Sequence, residues 1–123
     1  MSLRSSAMSR PTTRCGEAGW DPHARVGDMD RDGVDAEVLY ASLGMRMHAI
    51  QEPDYQLACF RAYNDWIADF CAAYPLRLIG VGLVPMMSVG TGVEEMRRFA
   101  RKGLRGGEHR PRRRAAGILG ARI

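Results

Sequence analysis

The chain has 123 residues, 46% of them hydrophobic and 26% charged, with a formal net charge of +4 at pH 7. That length holds one modest domain, and no apolar run approaches the roughly 20 residues that a bilayer crossing requires, so a membrane span is excluded. The positive charge sits at the ends, with five Arg and one Glu in residues 107–123 and three Arg in residues 1–15, while the body between is net acidic; this argues against one uniformly basic nucleic-acid-binding face.

Residues 1–18 show neither helical nor strand periodicity. They are basic and rich in Ser, yet lack both the apolar core of a secretory signal and the amphipathic period of a transit peptide. Asp21-Pro22 marks a helix start, since Asp caps free N–H groups and Pro has none to lose at the first position. This helix is expected over 22–32 and ends at Gly33. Residues 36–41 (AEVLYA) read as a strand, buried apart from Glu37. Residues 42–51 (SLGMRMHAIQ) read as a loop. The clearest element is a helix from Pro53 to Tyr74, closed by Pro75. Its apolar stripe runs through Tyr55, Cys59, Tyr63, Trp66, Ile67, Phe70, Cys71 and Tyr74.

The run RLIGVGLV at 77–84 suits a parallel strand covered on both faces. Thr91 and Glu94 have the spacing of a capping box for a third helix. That helix directs Val93, Met96, Phe99 and Ala100 inward and stops at Gly103. Leu104-Arg105-Gly106 then begins another strand. Helix and strand in alternation mean parallel α/β architecture. A complete (β/α)₈ barrel takes about 250 residues, so the chain reads as a piece of a sheet with open edges.

Several residue groups invite a chemical role. The histidines, His23, His48 and His109, form neither HxH nor HExxH. His23 falls in a first helical turn, where capping or solvation explains it. His48 lies after a strand, on the rim where barrel enzymes keep specificity residues; an ordinary surface-loop His is the default reading, and substrate contact its alternative. Asp28, Asp30 and Asp32 before Gly33 match half an EF-hand loop, but its twelfth position is Leu39, so a solvated helix face is the better reading. Gly80 and Gly82 form a GxG with no third Gly behind it; close helix packing explains the pair better than a nucleotide. Cys15, Cys59 and Cys71 contain no CxxC and read as reduced cytoplasmic thiols. Cys59 and Cys71 stand about 18 Å apart on one helix, too far to share a metal. Tyr40, Ser42, Met86 and Met87 end or follow the two strands, where pocket lining and plain packing fit equally.

The blocks WDPHARVGDMDRDGVDAEVLY (20–40), QLACFRAYNDWIADFCAAYPLRLIGVGLVP (56–85) and KGLRG (102–106) together resemble the amidohydrolase-related family. This group of metal-dependent hydrolases and decarboxylases includes aminocarboxymuconate semialdehyde decarboxylase. The resemblance implies a fragment of a (β/α)₈ TIM barrel over residues 19–106, supplying the second and third strands, their helices and the start of the fourth. In that family a divalent metal, commonly zinc, sits at the C-terminal mouth as a Lewis acid. Its ligands are an HxH pair ending the first strand, a His from a middle strand and an Asp from the last. Those positions fall outside this chain. The resemblance therefore implies no catalytic residue, metal ligand or bound cofactor for the chain alone. For the intact parent it implies a small-molecule substrate, with Tyr40, Ser42, His48, Met86 and Met87 as the candidate lining.

After Gly106 the family pattern asks for an apolar strand. The sequence instead runs GEHRPRRRAAGILGARI, the Arg, Ala, Gly and Pro mixture that GC-rich codons yield out of frame. Residues 1–18 and 107–123 are thus expected to be disordered or out of frame. Three functions are set against one another. The chain is a truncated, inactive piece of a metal-dependent hydrolase or decarboxylase; or a non-catalytic module that self-associates through open strand edges or pairs with a full-length relative; or a binder of nucleic acid or an anionic surface through its basic tail. The last is weakest, because five Arg without interleaved aromatics make a poor nucleic-acid site.

Overall fold

The computed structural model describes residues 16–110; the expectations for residues 1–15 and 111–123 lie outside them. Along the chain run helix α1 (Pro22–Asp32), strand β1 (Glu37–Leu39), helix α2 (Pro53–Ala72), strand β2 (Leu78–Leu83), helix α3 (Val89–Arg101) and strand β3 (Gly106–Glu108), with 3-10 helices at Glu17–Gly19 and Gly44–Ala49. Local chemistry bounds α1 where the sequence placed it. Asp21 accepts the His23 backbone N–H at 2.9 Å and Pro22 opens the first turn. Gly33 ends the helix at φ 72°, in the left-handed region that a Cβ disfavours.

The strands are parallel in the order β1-β2-β3, with Val38 opposite Ile79 and Gly82 opposite Gly107. The β2 glycines show where the helices lie. A Cβ on Gly80 would stand 3.1 Å from both Cys71 and Ile67 of α2, and one on Gly82 would stand 2.9 Å from the Phe99 ring of α3 and 3.2 Å from Asn64 of α2. Residues two apart on a strand share a face, so α2 and α3 cover the same side of the sheet. Strands adjacent in chain order, with both crossovers on one face, make a singly wound sheet. That is a segment of a (β/α)₈ barrel, not a doubly wound fold with a switch point. Close helix approach thus accounts for the GxG. The core lies between sheet and helices, around Met29, Ile67, Leu78, Phe99 and Leu104.

Several local expectations change. β1 is shorter than 36–41 and not buried: Val38 is 49% exposed. It is an edge strand, and among the described residues no layer covers its face away from the helices. Residues 42–51 contain a 3-10 helix rather than plain loop. The buried face of α2 is rotated from the expected stripe. Tyr55 and Trp66 are exposed, while Gln56, Phe60, Asn64, Ile67 and Cys71 face inward. α3 starts earlier, capped by Ser88, whose Oγ accepts the Thr91 N–H at 3.1 Å. Thr91 is therefore inside the first turn and does not cap it. Val93, Met96 and Ala100 are exposed, and Gly92, Glu95 and Phe99 take the inward positions. β3 takes in Gly107 and Glu108, which the sequence reading had given to the tail.

Candidate functional site

Parallel strands deliver their carboxyl ends to one edge of a sheet. Tyr40 and Ser42 follow β1 at that edge, and Met86 and Met87 follow β2 after Pro85; all four are exposed. His48 lies on the 3-10 helix Gly44–Ala49 beyond β1. Gln56 of α2 ties that helix down, its Nε2 donating to the carbonyls of Met47, His48 and Ile50 at 3.1–3.3 Å. The His48 ring meets Phe60 edge-on, with centroids 4.7 Å apart. Phe60 in turn packs with Ala41 and Leu83, at the exits of β1 and β2.

Glu108, the last residue of β3, reaches across to the exit of β1, where its Oε1 accepts the Ala41 N–H at 2.8 Å. Among the described residues His48 Nε2 is buried without a hydrogen-bond partner. Burial pushes its pKa below 6.5 against the pull of the Glu108 carboxylate, with Arg110 and His109 adding to the fall. The imidazole is therefore neutral at pH 7. Burial also pushes the Tyr63 hydroxyl up to about 12, with Glu108 again contributing. The exits of β1 and β2 thus carry a neutral imidazole and one anchored carboxylate.

This edge is not suited to the metal that the resemblance implies. Among the described residues no three His, Cys, Asp or Glu side chains converge on a metal position. His23 is engaged elsewhere, its Nδ1 2.8 Å from the Tyr74 hydroxyl. Asp28 and Asp30, from the half EF-hand pattern, pair with Arg31 and Arg77. Burial pushes the Cys71 thiol up to about 11, so it stays protonated.

Beneath the edge lies a buried polar network. Asn64 and Glu95 are both fully buried. Asn64 Nδ2 donates to Glu95 Oε1 at 2.9 Å. Arg98 and Arg61 donate to Glu95 Oε2 at 2.8 and 3.1 Å, and Arg98 also holds Asp65 at 2.6 Å. Burial would raise the Glu95 pKa, but the hydrogen bonds from Arg98, Asn64 and Arg61 outweigh it and hold the carboxyl below its ordinary 4.5. Sequence reasoning missed Asn64, Glu95 and Glu108. The available signal was spacing: Asn64 is four residues from Phe60 and from Ala68, and Glu95 is four before Phe99. A polar residue on an apolar face must be paired.

These shifts predict an acid-sensitive fold. A carboxyl whose folded pKa is depressed stabilises the native state above its unfolded value, and that contribution is lost as pH falls through the folded pKa. For Glu95 the loss begins near 4.5. A histidine whose folded pKa is depressed also favours folding above its unfolded value, here 6.5, and loses that as pH falls. Stability should therefore decline in two stages below pH 6.5, by roughly 1.4 kcal/mol per unit of pKa difference. Urea denaturation from pH 7.5 to 3 measures it. Glu95→Gln should flatten the lower stage and spare the upper; an unaltered lower stage would remove Glu95 as its source.

Residues 15–123 match the sequence pattern of the family described as Amidohydrolase. A 2-amino-3-carboxymuconate-6-semialdehyde decarboxylase from Dictyostelium discoideum is 33% identical over 79 residues, covering 64% of this chain and 22% of the relative. The solved 2,6-dihydroxybenzoate decarboxylase from Rhizobium aligns with a TM-score of 0.61 at 25% identity, over 68% of this chain and 26% of that one. The 5-carboxyvanillate decarboxylase of Novosphingobium aromaticivorans, solved with bound manganese and 3-methoxy-4-hydroxy-5-nitrobenzoic acid, aligns with a TM-score of 0.60 at 32% identity, over 68% of this chain and 24% of that one. The chain spans about a quarter of the length of these relatives. Motifs, singly wound sheet and family pattern agree: the chain belongs to the amidohydrolase family and has the structure of a partial (β/α)₈ barrel.

Proposed function

We propose that this chain is the portion of a metal-dependent decarboxylase that supplies barrel strands two to four, as β1, β2 and β3, and that alone it is inactive. One observation carries the choice of decarboxylation over hydrolysis: the relatives just described are each named as decarboxylases. Their names specify small unsaturated carboxylic acids, and a substrate of that class is assigned to the intact parent. Tyr40, Met86 and Met87 would offer it apolar and aromatic surface, and Ser42 and His48 polar contact. The divalent metal belongs to residues of the parent beyond those described. It is zinc by family resemblance, and manganese in one solved relative; when bound it supplies Lewis-acid polarisation. No helix of the described residues is long and apolar enough to cross a membrane. The free thiols of Cys59 and Cys71 support a reducing, cytoplasmic setting.

A second reading, self-association, is favoured by the exposure of Val38 and Tyr40 on a β1 that, among the described residues, pairs on one side only. The test of both is a transplant. Residues 19–106 replace the matching segment of 5-carboxyvanillate decarboxylase, and the purified 123-residue chain is studied beside the chimera. The chimera should bind metal stoichiometrically and release CO₂, and the chain alone should do neither. Metal binding with CO₂ release by the chain alone would overturn the inactive clause. Concentration-dependent dimers of the chain in sedimentation would favour the second reading.

A further inference from the structure

The last peptide of β2 is held in an unusual way. Alternate residues of a strand turn their backbone groups to opposite neighbours. Arg77 O accepts the Glu37 N–H on the β1 side, and the Val84 N–H donates to Glu108 O on the β3 side at 3.0 Å. Leu83 shares the parity of Arg77 and so faces β1. But β1 has ended at Leu39, level with Gly80, and among the described residues no strand serves the Leu83 peptide. Asn64 of α2 takes the strand's place. Its Oδ1 accepts the Leu83 N–H at 2.7 Å and its Nδ2 donates to Leu83 O at 3.0 Å. A side-chain amide here imitates a neighbouring peptide. Its orientation is enforced, because Nδ2 also donates to Glu95, a carboxylate that can only accept once ionised. Immediately beyond, Pro85 is buried and its carbonyl packs against Gly92 of α3, where a Cβ would come within 2.8 Å. The exit of β2 is therefore gripped from α2 and from α3 just before Met86 and Met87.

We infer that Asn64, oriented by Glu95, is a positioning residue for the site edge: it sets the direction in which β2 leaves the sheet and hence where Met86 and Met87 stand. This rests on the reading that those methionines line the substrate site. The experiment reads edge geometry rather than activity, so an inactive chimera would sink that reading and leave this one standing.

The probe is NMR of the full chain labelled with ¹⁵N, ¹³C and ¹³C-methyl methionine. In the unsubstituted chain a scalar coupling across the hydrogen bond should connect the Leu83 N–H to the Asn64 side-chain carbonyl carbon. Asn64→Leu should displace the Met86 and Met87 methyl signals and speed exchange of the Leu83 amide at least tenfold more than that of the Ile79 amide. The double exchange Asn64→Asp with Glu95→Gln keeps an acceptor for the Leu83 N–H and one carboxylate for the arginines, and should return both methyl signals. Unmoved methyl signals in Asn64→Leu, or equal acceleration of every sheet amide, would show a merely structural role. Should that variant not fold, an absent coupling or displaced methyl signals in the double variant would overturn the inference.

Discussion

Asn64→Leu is expected to lower the unfolding free energy by about 2–6 kcal/mol, the cost of leaving two buried backbone groups without hydrogen-bond partners. The side chain is fully buried and makes hydrogen bonds to the Leu83 N–H, to Leu83 O and to Glu95. Leucine has similar bulk, so little of the cost is a cavity. What remains is two backbone groups without partners, each costing about 1–3 kcal/mol when buried, and a carboxylate short of one donor. A small domain has about 5–15 kcal/mol in total, so this loss is a large share of the whole. Urea unfolding followed by tryptophan fluorescence gives the difference directly. A midpoint within experimental error of the unsubstituted chain would mean that water reaches Leu83 and that the clamp is not energetically significant.

Gly82→Ala should cost about 1–3 kcal/mol through overpacking. Its new Cβ would lie 2.9 and 3.0 Å from two carbons of the Phe99 ring and 3.2 Å from Asn64 Oδ1. Neither neighbour can yield freely, since Phe99 is buried in the core and Asn64 is pinned by its own hydrogen bonds. Gly90→Ala is the matched control: nothing among the described residues lies within 4 Å of its Cβ position. In the first turn of α3 it should be neutral or stabilising by up to about 1 kcal/mol. Equal effects of the two substitutions would refute the packing account of the β2 glycines and leave only the general conformational cost of glycine.

What the sequence by itself determined is what short-range chemistry controls. Asp21, Pro22 and Gly33 bound α1 through capping, a fixed φ and a left-handed end, and each acts within a few residues of itself. The apolar run of β2 and its alternation with helices were enough for parallel strands. Parallel strands in turn place Tyr40, Ser42, Met86 and Met87 at one edge. The tertiary structure alone decided which polar residues turn inward. Gln56, Asn64 and Glu95 are buried because each finds partners on another element or on the segment beyond β1. A periodicity argument counts them as solvated, and so rotates the face of α2 and misplaces that of α3. His48 is the same case inverted: its sequence context is a loop on the rim, and the packing of Phe60 against its ring half-buries it, which with Arg110 and His109 lowers its pKa. Burial of a polar group is favourable only with its partner in place, and those partners lie far away in sequence, as Glu95 lies 31 residues from Asn64.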